Sequence, residues 1–97
     1  MFKESYNPNA YLTRKRNVRL GLVARTKILQ IIEKQASTIA DVGKARGLKY
    51  AVVLYHLKLL EEENIVQRKS GKKPYLWTLT GIGQKRLVES YGISRVR

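Results

Sequence analysis

The residues of this chain that could do chemistry are nearly all cations. Arg14, Lys15 and Arg16 stand together near the N-terminus, Lys49 and Lys58 lie mid-chain, and Arg68, Lys69, Lys72 and Lys73 cluster around Ser70-Gly71. Guanidinium and ammonium groups at this density neutralise phosphates and need no pocket to do so. The carboxylates offer no counterpart. Glu61, Glu62 and Glu63 form the only acidic cluster, and three consecutive residues fan out around a helix instead of converging on a substrate. They read as a solvated helix end pointing away from a polyanion. His56 is the single histidine and cysteine is absent, which excludes a disulfide framework and argues against a metal site. With no nucleophile beside a base and no glycine loop to cradle a phosphate, neither an enzyme nor a cofactor is expected.

The bulk composition agrees with the charged residues. Lys and Arg total 20 against 7 acids in 97 residues, a formal charge of +13, so polyanions are the natural partners. A hydrophobic content of 43% separates the chain from a disordered basic tail, and its length suits one domain. No apolar run approaches the ~20 residues that span a bilayer, and the first residues lack the apolar segment of a signal peptide. A cytoplasmic, nucleoid-associated protein is therefore expected, without membrane binding.

The elements that must position these cations follow from periodicity and caps. Residues 1–17 read as a basic arm: Asn7-Pro8-Asn9 signals a turn or extended chain, and no acid occurs between Glu4 and Glu33. Such an arm either is merely solvated or tracks phosphates and enters a minor groove. A folded domain over 18–93 and a short basic tail, 94–97, follow. Leu22, Val23, Ile28, Leu29, Ile31 and Ile32 recur at helical spacing and predict a first helix over about 21–35, with a start near Val18 equally open. Thr38 caps a second helix, about 39–46, with Asp41 placed to return a hydrogen bond, Gly43 allowing close approach and Gly47 ending it. The next helix, about 48–63, therefore follows across a helix-turn-helix spacing.

That central helix carries Val53, Leu57 and Leu60 in one stripe, with Ala51, Tyr55, Lys58 and Glu62 roughly opposite. Val52, Leu54 and Leu59 widen its apolar arc beyond what a core-facing stripe needs, which implies a partner, a wide core or contact with bases. Asn64 can adopt the left-handed conformation that ends a helix. Two β-prone runs, 65–69 and 75–80, then predict a hairpin with Tyr75, Trp77 and Leu79 inward and a lysine-bearing tip. Thr80 caps a last helix, about 81–91, with Ile82, Leu87, Val88 and Tyr91 inward and Gly92 as its end. The fold class is mainly α with a small β-hairpin.

In this order the segments resemble the winged helix-turn-helix family, especially small ArsR-like and MarR-like prokaryotic regulators. Arg25-Thr26-Lys27-Ile28-Leu29 looks like the family's first-helix pattern, and Thr38-Ile39-Ala40-Asp41-Val42-Gly43 like the start of its second helix. Tyr55-His56-Leu57-Lys58-Leu59-Leu60-Glu61 is similar to its H-H-L-K-x-L-E stretch, followed by Asn64-Ile65-Val66 in place of Gly-Leu-Val. Trp77-Thr78-Leu79-Thr80 with Gly83 resembles the passage from wing to last helix. The resemblance covers about 25–87 and implies a three-helix core, a two-stranded wing and a C-terminal helix.

It further implies a homodimeric regulator that binds double-stranded DNA, with Lys49, Tyr50, Ala51, Leu54, Tyr55 and Lys58 presented to the major groove. Arg68, Lys69, Lys72 and Lys73 would lie on the backbone or minor groove, and Arg14, Lys15 and Arg16 on phosphates. Two departures limit it. Bidentate base reading depends on Arg, Lys, Asn or Gln, and between Tyr50 and Leu57 there is none. Without cysteine, thiolate metal sensing is also excluded, and His56 is expected to be a packed, hydrogen-bonded residue. The alternatives are an architectural, nucleoid-type DNA-binding protein of low specificity and a winged-helix module for protein contacts. RNA as the nucleic acid also stays open.

Overall fold

Helical periodicity in the first half of the domain and β-prone alternation in the second produce three helices followed by a hairpin and a fourth helix. The computed structural model describes residues 6–69 and 71–87, the last two by backbone alone. The helices are α1 (Arg19–Ile32), α2 (Ile39–Arg46), α3 (Tyr50–Glu62) and α4 (Gly81–Leu87), with β1 (Val66–Arg68) and β2 (Trp77–Leu79) between α3 and α4. The architecture is the winged helix-turn-helix that the segment order suggested. Helix α1 stops at Ile32, three residues before the expected end.

The turn between α2 and α3 is set by local chemistry. The Thr38 hydroxyl accepts the Asp41 N–H at 3.1 Å and so caps α2, while Asp41 does not return a bond among the described residues. Gly47 ends α2 in the left-handed conformation at φ 68°. Gly43 admits the turn most closely, since a Cβ there would lie 2.7 Å from the Leu48 carbonyl oxygen, and Val53 of α3 also comes within 3.9 Å, the close approach of a neighbouring helix that the glycine was expected to allow. Asn64 takes φ 62° and releases the chain from α3 into β1.

Ile28, Leu29, Val42, Val53, Leu57, Leu60 and Ile65 are buried among the three helices, and Trp77 closes the core from the hairpin side. Each such side chain contributes ~1.5–3 kcal/mol by leaving water. Strands β1 and β2 pair antiparallel with Val66 opposite Leu79 and Arg68 opposite Trp77, which turns Trp77 and Leu79 inward as their parity requires. Ser37 adds a bridge that the sequence did not suggest. Its N–H donates to the Trp77 carbonyl at 3.1 Å, and its carbonyl accepts the Trp77 N–H at 2.8 Å. The wing is thereby tied to the segment just before α2.

Of the readings open for the wide apolar arc of α3, a wide core accounts for most of it: Leu59 is only 8% exposed, and Leu54 packs partly against the core. The apolar arc is wide because α3 meets α1, α2 and β1 on three sides. Ile82, expected inward, is 51% exposed. Gly83 takes the inward position instead, so close to the residue before β1 that a Cβ would lie 2.7 Å from the Ile65 carbonyl oxygen. The acidic run is not simply a solvated helix end either, because Glu61 and Glu63 are both engaged. The expected inward positions of Leu87, Val88 and Tyr91, the Gly92 end and the basic tail lie outside the side chains described.

Residues 7–12, read as part of the arm, belong to the packed body. Asn7 caps a short 3-10 turn (Pro8–Ala10), its Oδ1 accepting the Asn9 N–H at 2.8 Å. The Asn9 amide donates to the Gly83 carbonyl at 2.8 Å, and the Asn7 N–H donates to Thr26 Oγ1 at 3.0 Å. Ala10 and Leu12 join the hydrophobic core.

Candidate nucleic-acid interface

Helix α3 presents two different stripes. Tyr50, Leu54 and Lys58, four residues apart, form one wall of a groove whose opposite wall is the wing, with Lys73, Pro74 and Tyr75. The first turn of α2, Thr38 to Ala40, closes one end, and Arg68 and Trp77 complete the lining of a space of about 590 Å³. The neighbouring stripe, Ala51 and Tyr55, faces solvent beside the exposed Lys49. Tyr50 and Tyr55 are 61% and 58% exposed, so both rings are open to a partner surface. The two rings flank the helix face and offer hydroxyls as well as apolar area.

The wing's cations are not equivalent. Arg68 is held on three sides: Nε donates to Glu61 Oε2 at 3.0 Å, a terminal nitrogen to Oε1 at 3.1 Å, and the guanidinium lies 4.9 Å and 5.2 Å from the Tyr75 and Trp77 ring centres. The Glu61 hydrogen bonds and charge hold its pKa above the ordinary arginine value. Arg68 therefore fixes the hinge of the wing, with its charge largely matched by Glu61. Lys69, Lys72 and Lys73 extend further along the exposed loop.

Below α3, Arg25 is 3% exposed and organises the N-terminal segment. Its Nε donates to the Ala10 carbonyl at 2.6 Å and a terminal nitrogen to Asn17 Oδ1 at 3.2 Å. Its other terminal nitrogen lies 3.3 Å from His56 Nδ1. Burial pulls the Arg25 pKa below its ordinary value and, with the Arg25 charge beside it, lowers His56 to about 4. His56 is thus neutral at pH 7, its Nδ1 lone pair facing the guanidinium. No group of three or more potential metal-binding His, Asp or Glu side chains occurs among the described residues.

Arg14, Lys15 and Arg16 are exposed on a loop at the far end of α3 from Tyr50, about 20 Å along the helix at 1.5 Å per residue. Glu63 receives that loop. The Thr13 N–H donates to both carboxylate oxygens at 2.9 and 2.7 Å, the Thr13 hydroxyl to Oε1 at 3.1 Å and the Arg14 N–H to Oε2 at 3.3 Å. The fold therefore gathers Tyr50, Leu54, Lys58, Arg68 and Lys73 around one groove and places the arm's cations elsewhere. Sequence reasoning missed the groove roles of Thr38 and Tyr75, which it read only as a cap and a core residue, and it read Glu63 as part of a solvated helix end, not as the acceptor for loop 13–16. No local signal marks Glu63, since its partners are 49 and 50 residues distant.

No protein-family model matches the chain, and no curated protein does. Among solved structures it is similar to ZitR of Lactococcus lactis, determined as a cysteine-to-serine mutant, with a TM-score of 0.58 and 24% sequence identity. The similarity covers 82% of this chain and 57% of that one, so the chain matches less than two thirds of ZitR's length. The likeness shows a shared winged-helix fold. No described helix is long and apolar enough to cross a membrane.

Proposed function

We propose that the chain is a DNA-binding regulator that places α3 in the major groove of double-stranded DNA and sets its wing on the adjacent backbone or minor groove. The observation that carries this reading is the groove between α3 and the wing, whose lining combines Lys58 and Lys73 with Tyr50, Leu54 and Tyr75. A phosphodiester strand is a polyanion with apolar sugar faces, and such a lining suits both parts. Lys49, Ala51 and Tyr55 would lie against base edges, with Ala51 and Leu54 able to touch thymine methyls. Lys69, Lys72, Arg14, Lys15 and Arg16 would contact phosphates, while Arg68 would contribute mainly by holding the wing. The winged-helix fold shared with ZitR supports the regulator reading, and a homodimer on a two-fold related site is the assembly that fits it.

A second reading is an architectural protein with little sequence preference. The inventory of α3 favours it, because no residue from Tyr50 to Leu57 can make a bidentate contact to a base. Selection of bound fragments from random duplex DNA, followed by competition with unrelated duplex, decides between them. A specificity ratio above ~1,000 supports the regulator, and a ratio near one supports the architectural protein. Failure to bind any duplex at low salt would overturn both.

A further inference from the structure

The placement of Glu63 is at odds with simple electrostatics. A carboxylate on a strongly basic, polyanion-binding surface weakens binding, and at the C-terminal end of α3 it also opposes the helix dipole. Yet Glu63 directs both oxygens at the backbone of one loop, accepting the N–H groups of Thr13 and Arg14 and the Thr13 hydroxyl. Because it takes backbone groups, the three cationic side chains that follow remain exposed. The loop's base is closed separately: the Leu12 N–H donates to Asn17 Oδ1 at 2.8 Å, the Asn17 amide donates to the Leu12 carbonyl at 2.9 Å, and Arg25 holds Asn17 and Ala10 from beneath. A short loop fixed at its base by a reciprocal amide pair and at its crown by a carboxylate has little conformational entropy left to lose on binding.

We infer that Glu63 is a positioning residue for nucleic-acid binding, holding loop 13–16 so that Arg14, Lys15 and Arg16 form a preorganised second phosphate contact at the end of α3 opposite the groove. This rests on the DNA-binding reading, and it assigns an acidic residue a favourable part in binding a polyanion. The sign of one substitution therefore tests it. Glu62 is the adjacent acid and is exposed, so Glu62→Ala reports the plain effect of removing one negative charge at this helix end.

The experiment compares duplex affinity, its salt dependence and backbone amide exchange for the full chain, Glu62→Ala, Glu63→Ala, and the triple variant Arg14→Ala, Lys15→Ala, Arg16→Ala with and without Glu63→Ala. Glu62→Ala should bind about twofold more tightly, whereas Glu63→Ala should bind roughly tenfold more weakly through the restored entropy of the loop. The Glu63→Ala salt slope should fall by about two, towards that of the triple variant. In the triple background Glu63→Ala should no longer weaken binding. Amide exchange at Thr13 and Arg14 should accelerate in Glu63→Ala while exchange in α3 and the hairpin stays unchanged, which separates loop release from unfolding. Tighter binding by Glu63→Ala, equal to that of Glu62→Ala, would overturn the inference and leave the DNA-binding reading intact. Absence of duplex binding by the unmodified chain would overturn that reading, and with it the phosphate contact; unchanged exchange at Thr13 and Arg14 would overturn the positioning role whatever the affinity.

Discussion

The N-terminal loop and the wing are both basic segments held by a glutamate from the end of α3, but they are held in opposite ways. Glu63 binds backbone N–H groups of the loop, so it organises the segment and leaves Arg14, Lys15 and Arg16 outward. Glu61 binds the side chain of Arg68, so it organises the wing by neutralising one of its cations. The difference shows that a carboxylate on a basic surface cannot be read from sequence as attractive or repulsive. Its effect depends on whether its partner is an amide or a guanidinium.

The largest expected effect breaks the loop side alone. Arg25→Met removes the donor to Ala10 and Asn17 while preserving apolar bulk, leaving a buried carbonyl unpaired. Chemical denaturation should show a loss of about 3 kcal/mol, with amide exchange rising first in residues 10–17 and not in the hairpin. Equal loosening of both segments would mean that they are not held independently.

Next is an acid sensitivity confined to the loop's root. His56 titrates near 4 in the folded chain against an ordinary value of 6.5, so the unfolded chain binds a proton that the folded chain resists. The stabilising difference is complete above pH 6.5 and is lost as pH falls towards 4. Between pH 7 and pH 5 the expected loss is about 2 kcal/mol, and His56→Gln should remove that dependence. A flat stability across this window in the unmodified chain would contradict the burial of a neutral imidazole beside Arg25.

The smallest effect sharpens the comparison from the wing side. Glu61→Ala frees the Arg68 charge, so duplex affinity should rise by about twofold to threefold and the salt slope should steepen by about one. A fall in affinity would show that Arg68 must stay pinned for the wing to engage.

Much of this was legible in the amino-acid order. The α2 limits, the Gly47 cap, the left-handed Asn64 and the inward parity of Trp77 and Leu79 all depend on neighbours a few residues away, and all were readable. What escaped depends on contacts between distant segments. Ser37 pairs with Trp77, Asn9 with Gly83, and Thr13 with Glu63, and no local pattern encodes such a partner. Ile82 was misplaced for a related reason: the close approach of Ile65 and Leu79 selects Gly83, not the larger residue, for the inward position. At the candidate interface, the residue types of Tyr50, Leu54, Lys58 and Lys73 were recognised. Their convergence on one groove, and the withdrawal of Arg68 into an ion pair, became visible only with the fold.

Whether the exposed cations of this fold neutralise phosphates of double-stranded DNA, as proposed, is tested most directly by a salt titration of duplex affinity. With six to ten phosphates neutralised, affinity should fall by roughly three to five decades between about 50 and 200 mM salt, linearly on a double-logarithmic plot. A flat profile across that range would contradict the account.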